Sequence, residues 1–194
     1  MPVSSNAALT RRRLGGAVLL LAGIAIAVVV LWPGGRDGPA APRKLPVRFV
    51  SIPPLGMAFA HPTSWKRTLR GRVIDLRAPG GSVLMLFSSP VAKPAVRSVK
   101  AAAERELRRQ FAPAKVVREG PQRLGARMVP SFELKGRDKA GAVRALVLVD
   151  STAYRTYAVT VLTGATPSRR RLDEARAIIS TVRFGKPQAL RSKR

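Results

Sequence analysis

Few residues in this chain could carry acid–base or nucleophilic chemistry. It holds one His (His61), ten Asp and Glu, and no Cys. Without Cys there is no disulfide, no thiolate metal site, no thiol nucleophile and no lipid-modified N-terminal Cys. A Ser-His-Asp arrangement would have to recruit His61. No Gly-x-Ser-x-Gly elbow exists, however, and Gly80-Gly81-Ser82 reads as a turn entering a strand. His61 stands before Pro62 at a predicted strand end, where a structural role is expected. Asp173 and Glu174 fall in the first turn of a predicted helix and would complement its dipole. Glu104 and Glu106 sit among arginines on a solvated helix face. None has the spacing of metal ligands, and no phosphate-loop glycine pattern occurs. The expectation is a protein without catalytic activity, metal or cofactor.

The cations are the opposite case. Lys and Arg number 36, giving a formal net charge of +26 on 194 residues. Over residues 47–185 there are 26 basic and 9 acidic residues, a net of +17, and Arg outnumbers Lys by 27 to 9 in the whole chain. Two clusters are densest. Arg97, Lys100, Arg105, Arg108 and Arg109 fall on one predicted helix, and Arg169, Arg170, Arg171 and Arg176 on another. If both helices share a sheet face, these nine residues make one basic plate, a candidate anion-binding surface. The competing reading is compositional: Arg, Ala, Gly, Pro and Val are abundant where the coding sequence is GC-rich, with Arg as the default surface polar residue. Aromatic residues make up only 5% and no recognition motif is visible, which disfavours nucleic acid as the anion.

The elements that must position these residues divide the chain into five parts. Residues 1–13 form a short basic tail. Residues 14–32 (LGGAVLLLAGIAIAVVVLW) are uncharged and almost wholly apolar. As a helix they span roughly 28 Å, close to a bilayer's hydrocarbon thickness. Arg11, Arg12 and Arg13 abut one end and Trp32 marks the other, as residues at a lipid–water interface do. An uncleaved single-pass anchor is favoured over a removed signal peptide, because the apolar run exceeds the usual signal core and no small-x-small site follows it directly. Flanking Lys and Arg are balanced. The compact arginine triplet and the short tail place the N-terminus inside and the large domain outside, at the plasma membrane. Gly23 and Ala27 make one small-xxx-small pair, a weak signal for a homodimer through this helix. Residues 33–46 hold four Pro and three Gly and read as a semi-rigid linker. Residues 47–185 form the folded domain, and the basic tail 186–194 is expected to fray.

Within the domain, Met57–Ala60 is strand-like. Arg72–Ala78 and Ser82–Ser88 form a predicted hairpin around Pro79-Gly80-Gly81. Val96, Val99, Ala103, Leu107 and Phe111 recur at helical spacing, and Pro113 stops that helix. Leu124–Leu134 contains Pro130 and therefore reads as an edge strand or a broken one. Ala142–Val149 and Tyr154–Leu162 make a second hairpin. Thr166-Pro167 then opens a helix with its stripe at Leu172, Ala175, Ile179 and Val182, closed by Gly185. Strands that follow one another with few crossovers imply an α+β sandwich: a mostly antiparallel sheet with two helices packed on its faces.

That pattern resembles the PsbP-like superfamily, found in bacterial secreted or membrane-anchored domains, thylakoid-lumen PsbP proteins and a Ran-binding nuclear-import factor. Residues 58–65 (AFAHPTSW) are similar to the family's aromatic-x-x-Pro-x-x-Trp opening, with His61 at a usual aromatic position. The strand-turn-strand leading into a helix, the closing YAVTV strand and the terminal IISTVRF also look like the family. The likeness covers nearly all of 50–184. Trp65 has a physical reason to be there, since its large apolar area can plug the open end of a sheet. The resemblance implies an accessory, scaffold-like role and no common reaction. The calcium and manganese links of the lumenal members find no matching carboxylate or His cluster here. The expected partners are membrane lipid at the anchor and an envelope protein or anionic polymer at the domain, with nucleic acid as ligand only if the domain is cytoplasmic.

Overall fold

A computed structural model describes residues 46–188, apart from 91 and 165. The predicted anchor 14–32 with its Arg11–Arg13 and Trp32 flanks, the Gly23/Ala27 pair, the linker up to residue 45 and the last six residues lie outside the described residues. No helix among the described residues is long and apolar enough to cross a membrane.

The domain is built on a seven-stranded antiparallel sheet and a smaller three-stranded one. The small sheet pairs β1 (Val47–Ile52) with β2 (Met57–Pro62), and a two-residue β10 (Arg183–Phe184) joins the other side of β2. The large sheet comprises β3 (Lys66–Arg70), β4 (Val73–Arg77), β5 (Val83–Ser88), β6 (Lys115–Leu124), β7 (Arg127–Asp138), β8 (Gly141–Ser151) and β9 (Thr156–Gly164). Their spatial order is β3-β4-β5-β9-β8-β7-β6. Helix α1 (Val96–Gln110) connects β5 to β6, and α2 (Arg169–Thr181) follows β9.

Alternation along the strands decides where each helix goes. In β5, Val83, Met85 and Phe87 enter one core cluster with Ala175, Ile178 and Ile179 of α2 and Phe59 of the small sheet. Leu84 and Leu86 enter the other, with Val99, Ala103 and Leu107 of α1. Both faces of the sheet are therefore buried, by α1 on one side and by α2 with the small sheet on the other. The fold class is the predicted one, but the two helices occupy opposite faces, so the nine predicted cations do not form one plate.

Other expectations are corrected by long-range pairing. Leu124–Leu134 is not one edge strand. The chain turns at Gly125 and Ala126, and β7 lies between β6 and β8. Pro130 is tolerated because β8 pairs with β7 only from Ser131 onward, so at Pro130 the strand has a neighbour on one side alone. Helix α2 starts two residues later than predicted, with Ser168 as N-cap accepting from the Arg171 N–H. It ends at Thr181, and Gly185 does not close it; the Gly185 N–H donates to the Gly56 carbonyl at 2.8 Å. Gln188 N–H likewise meets the Pro53 carbonyl, so the start of the tail is pinned rather than frayed.

Candidate anion-binding groove

The arginines named from the sequence differ in what surrounds them. On α1, Lys100 reaches Glu119 of β6 at 2.6 Å, Arg108 pairs with Glu104 and Arg109 with Glu106. Arg97 and Arg105 are exposed, with no ion pair among the described residues. On α2, Arg170 and Arg171 converge on Glu174 at 3.1 and 2.7 Å, and Arg176 pairs with Asp173. Arg169 is exposed at the first position of the helix.

Neither Asp173 nor Glu174 falls in the first turn of α2, which begins at Arg169, and Glu174 does not complement the helix dipole. It is buried, and its Oε2 accepts the Trp65 indole N–H at 2.8 Å. Burial pushes this carboxyl up, but hydrogen bonds from Arg171, Trp65 and Arg170 outweigh it and hold the group below its usual 4.5. Trp65 thus closes the end of the sandwich, and the salt bridge behind it uses up two of the predicted anion-binding cations.

Beside α2, between the helix and the large sheet, a groove of about 520 Å³ remains open. Its floor is apolar: Leu146 and Leu148 of β8, Val161 of β9, and Ala175 and Ile179 of α2. Its rim is cationic: Arg118 and Arg123 of β6, Arg144 of β8 and Arg176 of α2. The one carboxylate lining it is Glu133, 3.8 Å from Arg144. Only Arg176 of these four was singled out from the sequence. Arg144 carried a readable signal, as a lone charge inside the apolar run AVRALVLV; it marks where α2 leaves the sheet face uncovered. Arg118 and Arg123 lie in a segment interrupted by Gly120-Pro121, which hides its strand character.

A second cavity of about 300 Å³ lies at the α1 side, among Leu84, Phe111, Val143 and Leu162. Its acid, Asp138, caps the Ala140 and Gly141 N–H groups. His61 is buried and donates from Nδ1 to the Pro62 carbonyl at 2.8 Å, beside the Phe59 ring. Burial lowers its pKa below 6.5, against the Pro62 contact, and Arg67 and Arg48 lower it further. Its position is that of a structural aromatic. Among the described residues no three His, Cys, Asp or Glu side chains converge as a metal site.

The arrangement of strands and helices matches known structures. The solution structure of cyanobacterial PsbP (CyanoP) from Synechocystis sp. PCC 6803 superposes with a TM-score of 0.53 at 12% identity, over 80% of this chain and 99% of that one. The fold is PsbP-like. A crystal structure from Bacteroides thetaiotaomicron VPI-5482 gives a TM-score of 0.52 at 11% identity, over 71% of this chain and 48% of that one, so the likeness spans about half of its length. LpqN of Mycobacterium tuberculosis, described as involved in cell envelope biogenesis, aligns at 14% identity over 72% of this chain and 91% of that one, with a TM-score of 0.45. No family model matches the chain, and neither does any curated protein sequence. The residues that carried the PsbP-like resemblance hold the domain together. Phe59 stacks on Phe87 with ring centroids 4.7 Å apart, Trp65 lies against Glu174, and Phe184 stacks on Tyr157 at 4.1 Å.

Proposed function

We propose that this chain is a membrane-anchored, extracytoplasmic accessory module without catalytic activity, which meets an anionic envelope component through the groove beside α2. The observation that carries the reading is the groove's charge. Four arginines from three elements rim an apolar hollow, with Glu133 beside Arg144 and Asp173 beside Arg176 as the acids that answer them. A PsbP-like domain behind a Pro/Gly linker and a 19-residue apolar run supports the location. Tethering above a membrane raises the local concentration of anionic lipid headgroups and wall polymers around the domain. The only imidazole, that of His61, is buried against its own backbone, which disfavours a part for it in acid–base chemistry.

Two measurements test this. Protease added to intact cells should digest the domain; protection until lysis would place it inside and make nucleic acid the anion to test. The full chain in phosphatidylcholine nanodiscs should bind poly(glycerol phosphate), more weakly as salt is added. The Arg118→Gln/Arg123→Gln/Arg144→Gln variant should lose about tenfold in affinity or more. Undiminished binding by that variant would remove the groove from the reading.

A further inference from the structure

Farther along the same sheet face, roughly 20 Å along β9 from the groove's Val161 to Arg155, two side chains offer hydrogen-bond donors that no described residue accepts, and a third holds its acceptor only loosely. Pairing of Val73 with Ser88 and of Ser88 with Ala158 makes Arg72, Ser89 and Tyr157 the next row across β4, β5 and β9. Arg155 follows two residues before Tyr157, in step with it. The Ser89 hydroxyl is buried, with the residue only 2% exposed, and has no partner among the described residues. The same is true of Arg155 Nη1. Arg72 Nη1 reaches over this row to the Pro90 carbonyl at a long 3.4 Å. The Tyr157 hydroxyl is committed to the Leu55 carbonyl at 2.7 Å, and the nearby Asp150 carboxylate to Arg127 at 2.9 Å. Neither the Arg72 nor the Arg155 guanidinium has an ion pair among the described residues. Burial, together with repulsion from Arg155, lowers the pKa of Arg72.

A half-buried cation without a counter-charge is held at a cost, and an unsatisfied buried donor such as the Ser89 hydroxyl adds to it. Native structures leave few such groups, and an absent ion is one explanation for those that occur. We propose that Arg72, Arg155 and Ser89 form an oxyanion site that takes a phosphate group. Donors arriving from just beyond the ends of three neighbouring strands, β4, β5 and β9, suit a tetrahedral acceptor better than a planar carboxylate, which one guanidinium fork satisfies by itself. Arg72 and Arg155 are each partly exposed, so the site opens to solvent. The phosphate can be free, or the terminal monoester of a larger envelope molecule. The site shares no residue with the groove.

The test is calorimetric titration of the full chain, in non-ionic detergent and at constant chloride, with inorganic phosphate. One saturable site is expected. Arg155→Gln or Arg72→Gln should weaken it about tenfold or more, and Ser89→Ala a few-fold. The Arg118→Gln/Arg123→Gln/Arg144→Gln variant should bind phosphate unchanged, which separates this site from the groove. Removing an unpartnered cation should not unfold the domain. In phosphate-free buffer Arg155→Gln is expected to melt at or above the wild-type Tm, and phosphate should raise Tm only in the wild type. Glycerol 3-phosphate distinguishes the sources: affinity equal to that of free phosphate marks a monoester end group, and a large loss marks the free ion. Absence of saturable binding, or a site that survives both arginine substitutions, would overturn the proposal.

Discussion

Both faces of the large sheet carry arginines and treat them differently. On the α1 face the helix lies flat over Leu84, Leu86, Val147 and Phe132, and Glu104, Glu106 and Glu119 stand beside its cations. On the other face α2 covers only part of the sheet, and the arginines beyond its edge have a single carboxylate among them. Density along the chain is thus a poor guide to binding. A basic cluster becomes a candidate where acids do not accompany it in space and where the backbone leaves a concavity.

Breaking each face in turn should show which one carries the fold. Trp65→Ala removes the buried indole that closes the α2 side and strips Glu174 of a donor. A loss of about 4 kcal/mol is expected, read by denaturant unfolding of the full chain in non-ionic detergent with far-UV circular dichroism. Leu107→Ala, on the α1 side, should cost about 3 kcal/mol, since the site can collapse partly onto the half-buried Ala114 and Val116. If Leu107→Ala proved the more damaging, the α1 face and not the Trp65 plug would be the main support.

The same contrast explains what could be read from the sequence. Helix α1 and the hairpins β4–β5 and β8–β9 carry their own periodicity or turn chemistry, so local pattern suffices. Strand β3 does not: Lys66–Arg70 is a solvent-facing edge strand with Leu69 as its only large apolar residue, and that residue is exposed. Charged edges discourage further pairing, but they also erase the alternation that would reveal the strand. Strand β1 went unread because it faces solvent along Val47 and Phe49. Strand β6 went unread because Gly120-Pro121 interrupts it. Glu174 misled for another reason: its partner Trp65 is 109 positions away, and no local pattern signals that bond. The groove joins residues from β6, β8, β9 and α2, so its rim exists only once the sheet order is known.

Smaller effects follow from two buried groups whose pKa values are depressed, Glu174 and His61. Glu174 sits below its usual 4.5 in the folded state, so its stabilisation is complete above that pH and is lost as pH falls through the folded value. Glu174→Gln should cost about 2 kcal/mol at neutral pH and flatten the acid limb of the stability curve. His61 is also held below its usual value, chiefly by burial. A depressed imidazole favours the fold fully above pH 6.5, and that contribution declines as pH falls from 6.5 towards the folded pKa. His61→Phe should therefore remove the slope beginning at pH 6.5 while changing neutral stability by less than about 1.5 kcal/mol. A slope that persists in this variant would assign the titration to another group.

The smallest effect is expected from the most conspicuous charges. Arg97 and Arg105 are exposed on α1 without an ion pair among the described residues, so replacing both with Gln should change stability by no more than about 0.5 kcal/mol. Their replacement should also leave poly(glycerol phosphate) affinity within about twofold of wild type, because isolated exposed cations contribute a screened, diffuse attraction. The groove variant removes three charges that share one hollow and its apolar floor, and should lose far more than a proportionate share. Equal losses per arginine from the two faces would mean that net charge alone attracts the polymer. The concavity beside α2 would then have no part in recognition, and the distinction between the faces would hold for packing only.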